Sequence, residues 1–148
     1  MAVFSAGGCG GSDTPAKPAE AAHHHEHVPP HGGTAVELGH EEFHVEFVLD
    51  AAAGRLTAYV MDGELEQFIR VSAVSFEVQA KVDGADQSLT FSPVANAATG
   101  EKAGDTSQFE ATAAWLKTTT NFDATLRELT VRTQTYRAVK FNFPKGNE

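Results

Sequence analysis

The chain has 148 residues, 41% of them apolar, enough for one domain with a buried core and too few for two ordinary ones. Its formal net charge is −9 with neutral histidines, and its arginines (Arg55, Arg70, Arg127, Arg132, Arg137) are dispersed, which argues against nucleic acid and anionic lipid surfaces as partners. Cys9 is the only cysteine, so an internal disulfide is excluded.

Residues 1–35 hold few large apolar side chains beyond Val3, Phe4 and Val28, whereas apolar residues recur steadily from Val36. The expected organisation is a disordered tether over residues 1–33 and one folded domain over 34–148. Ala6-Gly7-Gly8-Cys9, followed by a polar Gly/Ser/Ala/Pro linker, resembles the processing site of a bacterial lipoprotein, in which the Cys is lipidated. MAVFSAGG, ahead of Cys9, lacks the positive n-region and full h-region of a signal peptide. The resemblance implies a cell-envelope or periplasmic protein whose membrane contact is a lipid anchor on Cys9. No later apolar run is long enough to span a bilayer as a helix.

Past residue 34 the dominant period is two. Phe43, Val45, Phe47 and Leu49 alternate with Glu42, His44 and Glu46, which predicts a half-buried strand. Asp50–Gly54 turns the chain into a second strand through Leu56, Ala58 and Val60, giving an antiparallel hairpin. A weaker strand is expected over Gln67–Ala73. A clean one follows through Val74, Phe76, Val78, Ala80 and Val82, then an Asp83-Gly84 turn and a strand at Ser88–Pro93. Residues 95–107 read as a polar loop. Phe109–Lys117 reads as one or two helical turns, with Phe109, Ala113 and Leu116 on one side and Trp115 as an anchor. Leu126–Thr133 and Tyr136–Phe143 make the closing hairpin, with Val139, Phe141 and Phe143 on one face.

Short strands, frequent turn signals and one short helix predict an all-β fold. The expected form is a single antiparallel β-sandwich, immunoglobulin-like but without a disulfide, with a small barrel as the alternative. The ten phenylalanines are core material.

All seven histidines fall between residues 23 and 44: His23, His24, His25, His27, His31, His40 and His44. Neutral imidazole suits divalent copper, zinc, nickel or cobalt, so these seven are the candidate metal ligands. His23-His24-His25-Glu26-His27, on a flexible tether, suits capture or buffering rather than catalysis. In GHEEFHVEF, residues 40, 42, 44 and 46 share one strand face at about 7 Å per step. His40 and His44 are therefore too far apart to chelate one ion along a straight strand. That face is either a solvated polar surface or a metal site completed by a tether ligand such as His31.

HGGTAVELGHEEFHVEFVLDAAAGRLTAYVMDG resembles a domain of uncharacterised bacterial envelope lipoproteins and is similar to segments of periplasmic adaptor subunits of heavy-metal efflux systems. The pattern is His31-Gly32-Gly33, Val36-Glu37-Leu38-Gly39, an aromatic/His/Glu strand, and a strand ending in Val60-Met61-Asp62-Gly63. SQFEATAAWLKTTTNFDATLRELTV is similar to the same family's ending. The resemblance implies an all-β envelope domain associated with metal handling, with His31, His40 and His44 as ligands and envelope efflux components as partners.

The sequence reading is thus a lipid-anchored envelope protein that binds a divalent transition metal through a His-rich tether, accessory to metal efflux or buffering. The rival is a non-metal protein-interaction or structural module. No catalytic role is expected: the chain has no phosphate loop and no histidine follows residue 44, and although His40-Glu41-Glu42-Phe43-His44 has the letters of HExxH, that motif holds zinc from a helix, whereas this segment leads into a predicted strand.

Overall fold

A computed structural model describes residues 28–148, together with Val3. Cys9, His23, His24, His25 and His27 lie outside the described residues. Among the described residues eight strands follow in chain order: β1 (Thr34–Leu38), β2 (Phe43–Asp50), β3 (Arg55–Asp62), β4 (Phe76–Val82), β5 (Ala85–Pro93), β6 (Gln108–Thr112), β7 (Phe122–Val131) and β8 (Gln134–Phe143). A single 3-10 turn, Ala114–Lys117, sits between β6 and β7.

The alternation of apolar residues explains the pairings. Val45, Phe47 and Leu49 of β2 stand opposite Val60, Ala58 and Leu56 of β3, so one side of the hairpin is a continuous apolar face. Val78 and Ala80 of β4 likewise stand opposite Leu126 and Ala124 of β7. Between β4 and β5 the two-residue turn Asp83-Gly84 has φ of 50° and 79°, both positive, as the favoured hairpin turn requires.

All eight strands belong to one antiparallel sheet in the order β1-β2-β3-β6-β5-β4-β7-β8. The sheet folds over on itself at β5, which pairs with β4 along its length and with β6 only at Ser92↔Glu110 and Pro93↔Phe109. The two halves meet through aromatic rings. Phe47 of β2 stacks on Phe141 of β8 at 5.0 Å, and Phe76 of β4 meets Phe109 of β6 edge-on at 5.1 Å.

The remaining edges are drawn together behind β8. Thr34 Oγ1 donates to the Pro144 carbonyl (3.1 Å), Glu37 N–H donates to Asn147 Oδ1 (2.8 Å), and Asn147 Nδ2 donates to the Glu37 carbonyl (3.1 Å). The all-β antiparallel architecture with one short helical turn is the one expected. Its two packed layers are halves of one nearly closed sheet, so it leans toward the barrel form.

Local departures have physical causes. Phe109–Lys117 is a strand followed by the 3-10 turn, because Phe109 and Ala111 stand opposite Ala58 and Leu56 of β3 and complete that apolar face. Only the end of the segment turns, burying Leu116 and setting Trp115 edge-on to Phe122 at 5.1 Å. The weak strand at 67–73 reduces to two isolated bridges, Met61↔Phe68 and Val71↔Thr106. The last hairpin turns at Arg132-Thr133, two residues before the gap between the expected strands Leu126–Thr133 and Tyr136–Phe143, since Val131 pairs with Gln134.

Candidate functional site

β2 departs most from the half-buried strand that its pattern predicts. His44, Val45, Glu46 and Phe47 are all 0% exposed, so the strand is buried on both faces where a solvated polar face was one reading. Val45 and Phe47 face the core. His44 and Glu46 face outward, and other parts of the chain cover them.

The cover over Glu46 is the His31-Gly32-Gly33 segment. Glu46 Oε1 accepts N–H bonds from His31 and Gly33, both at 2.9 Å, and Oε2 lies 2.8 Å from His31 Nδ1. Three donors on one carboxylate offset the desolvation that full burial imposes. Glycine is needed twice here. Gly32 has φ 67°, and an added Cβ on Gly33 would lie 2.5 Å from the Phe47 carbonyl oxygen of β2. The dipeptide therefore lets the chain turn and then press against the strand.

The imidazole of His31 lies flat on Tyr59 of β3, with ring centroids 4.0 Å apart and planes within 11°. Phe68, from the segment after β3, stands beside both rings, 5.8 Å from His31 and 6.0 Å from Tyr59. His31 keeps 35% of its side-chain surface exposed, against 0% for Glu46. Burial raises the Tyr59 phenol above its usual range, with the Glu46 and Glu110 carboxylates adding to the shift and Arg55 opposing it. The site is thus a half-exposed imidazole clamped between a buried carboxylate and an aromatic ring.

His44, two residues along β2, stands opposite Glu37 of β1 and Met61 of β3. Its Nδ1 lies 3.4 Å from the Asp62 carbonyl oxygen, and its Nε2 lies 3.4 Å from Glu148 Oε1. His40 is exposed in the turn before β2, outside the strand on which its spacing was reckoned. The structure therefore does not gather His31, His40 and His44 into one cluster. Among the described residues no group of three or more His, Cys, Asp or Glu side chains could hold a metal ion. A metal bound at His31 would need further donors from outside the described residues.

Two clefts bear on the choice of site. One of about 540 Å³ borders His31, Gly33 and Thr34. A larger one of about 590 Å³ lies across β4, β5, β7 and β8. Its charged lining includes Lys81 and Asp86, which pair with each other at 2.6 Å. The larger cleft thus brings no concentration of one chemistry, and the His31 site is the better candidate.

Glu46, Tyr59 and Phe68 were not singled out by sequence reasoning. The available signal was His31-Gly32-Gly33 itself: a ligand-type residue followed by a pair of glycines marks a place where backbone approaches backbone. Among the described residues, no helix is long and apolar enough to cross a membrane. No family model, curated protein or solved structure matches the chain.

Proposed function

We propose that the protein captures a divalent transition metal (copper, zinc, nickel or cobalt) at the cell envelope, in a role accessory to metal efflux or buffering. The donors are the imidazoles of His23, His24, His25, His27 and His31. Cys9 is the point of lipid attachment in this reading. It rests on the resemblance of Ala6-Gly7-Gly8-Cys9 to a lipoprotein processing site.

The observation that carries the metal reading is the setting of His31. The five imidazoles fall within nine positions, and the last of them is fixed on the domain by Glu46 and Tyr59. A row of imidazoles that ends on an anchored ring has one ligand already ordered, which lowers the entropy cost of closing a chelate. Nitrogen donors without thiolate favour copper(II) over its neighbours in the first transition row. His40 and His44 are secondary candidates, because they lie apart from His31 in the fold.

Titration calorimetry tests this. The intact protein should take up Cu²⁺ with saturable heat. The variant with His23, His24, His25, His27 and His31 all changed to Ala should lose most of it. Equal heats from the two proteins would remove these histidines from the account.

A further inference from the structure

We propose that the protein pairs with a second copy of itself along the free edge of β5, antiparallel and about a two-fold axis at Ser88. The inference is independent of the metal reading above.

The sheet forks between β5 and β6. The two strands pair at Ser92↔Glu110 and Pro93↔Phe109 and then part. A cleft of about 510 Å³ lies between them, with Ser88, Thr90 and Ser92 on one wall and Glu110, Ala111 and Thr112 on the other. The β5 wall of this fork is a strand edge. The two-residue turn Asp83-Gly84 makes Val82↔Ala85 a hydrogen-bonded pair, and such pairs alternate with non-bonded ones along an antiparallel ladder. Lys81↔Asp86, Gln79↔Ser88 and Glu77↔Thr90 are therefore non-bonded pairs, and the N–H and C=O groups of Asp86, Ser88 and Thr90 point away from β4. Val94, of the same parity, shows this directly: its N–H donates to the Gln108 carbonyl of β6 at 2.9 Å. Asp86, Ser88 and Thr90 are exposed, and among the described residues no backbone hydrogen bond outside the ladders uses them.

Edge strands are commonly guarded against pairing by Lys, Pro or a bulge. Residues 85–92 hold no Lys, Arg or Pro, and their one charge, Asp86, is held by Lys81 at 2.6 Å. The edge is also complementary to itself. With the axis at Ser88, Asp86 meets Thr90 of the second copy, Ser88 meets its own counterpart, and Thr90 meets Asp86. Each of these pairs can exchange both N–H···O bonds. On the outer face each Asp86 carboxylate stands beside a Thr90 hydroxyl, and the central row, Gln79 and Ser88 from each copy, is uncharged. No like charges are opposed. The contact is one strand wide, below the roughly 1,200–2,000 Å² of stable dimers, so the pair forms at high concentration. Two chains of net charge −9 repel at long range, so salt strengthens it.

Sedimentation velocity of the full chain tests this, under reducing conditions so that Cys9 cannot link two copies. The unaltered protein should pass from monomer to dimer as its concentration rises, and at lower concentration in high salt than in low salt. Ser88→Lys and Ser88→Glu each set like charges face to face at the axis, and each should weaken the dimer about tenfold or more. Mixed in equal amounts, the two variants set opposite charges face to face, and the dimer should return. Only a residue on the axis meets its own counterpart, so recovery in the mixture identifies the axis. Should a variant fail to fold, amide exchange of the unaltered protein decides. The Asp86, Ser88 and Thr90 amides should exchange more slowly at high protein concentration than at low, whereas those of Gln87 and Leu89, which face β4, should not change. A chain that stays monomeric at every concentration and salt would overturn the proposal and leave the fork to an extended segment of another protein. A dimer undiminished in both variants, folded variants that stay apart when mixed, or edge amides indifferent to concentration would overturn it as well.

Discussion

Gly33→Ala tests how the lead-in segment is held on the sheet. The added methyl would meet the Phe47 carbonyl oxygen at 2.5 Å, Val48 Cγ2 at 2.8 Å and Glu46 Cγ at 3.0 Å. The first of these is β2 backbone within the ladder, and it cannot retreat without breaking strand pairing. The segment must lift instead. Two bonds to the Glu46 carboxylate are then lost, from Gly33 and His31 N–H, each worth about 1.5–3 kcal/mol. The loss is partly returned, because each freed residue regains about 1–2 kcal/mol of backbone entropy. Water reaches Glu46 as the segment lifts, so no charge is left buried alone. The net cost is about 1–3 kcal/mol, a fall in Tm of roughly 4–15 °C for a domain of this size. Thermal unfolding gives the global number, and amide exchange at residues 31–33 gives the local one. Gly32→Ala is the contrast: nothing lies within 4 Å of its added Cβ, and the strain at φ 67° alone should cost about 1–2 kcal/mol. An unchanged Tm for Gly33→Ala, with residues 31–33 still protected from exchange, would refute the close-approach argument.

Three further outcomes are expected. Burial, and then the Glu42 carboxylate bonded at 2.6 Å, push the Tyr136 hydroxyl up to about 12, so the stability it confers is complete below pH 10.0 and is lost as pH rises toward 12. Tyr136→Phe should flatten that alkaline limb in pH-dependent melting; an identical limb in the variant would contradict the assignment. Burial tends to raise the Glu101 carboxyl, but hydrogen bonds from Ser107 and Thr99 outweigh it and leave the group below its ordinary 4.5. Its contribution is therefore present above pH 4.5 and lost as pH falls below that, so Glu101→Gln should weaken the acid dependence of stability and loosen residues 95–107 in amide exchange. Ala138 has φ 52° within β8, and Ala138→Gly should raise stability by about 0.5–1 kcal/mol in denaturant unfolding, whereas a loss would show the conformation to be unstrained.

Much of the fold is legible in the sequence because period-two alternation and Asp-Gly turn chemistry are local signals. β2, β3, β4 and both closing strands follow from them. β1 is harder to see, since Thr34–Leu38 is five residues long and acquires its meaning from pairing with β2. The closing hairpin hides a change of phase. Phe122, Ala124 and Leu126 face inward, then Leu129 and Val131, and on β8 Tyr136 is followed by Phe141 and Phe143. Ala138 lies within that change, and a positive φ at alanine carries no sequence signature.

The candidate site is half legible. His31 stands out as the last member of a histidine-rich run. Glu46, fifteen residues on, reads as one more polar residue of an alternating strand. Its burial is created by the segment that folds back over it, and such coverage is a tertiary fact that the local pattern of β2 does not contain.

Equilibrium dialysis of the intact chain against Cu²⁺, Zn²⁺ and Ni²⁺ at neutral pH, with elemental analysis of the retained protein, tests the central claim most directly. The account predicts stoichiometric retention of at least one ion, lost when His23, His24, His25, His27 and His31 are replaced together. Protein that emerges free of all three ions, or a five-fold variant that retains as much as the original, would contradict it.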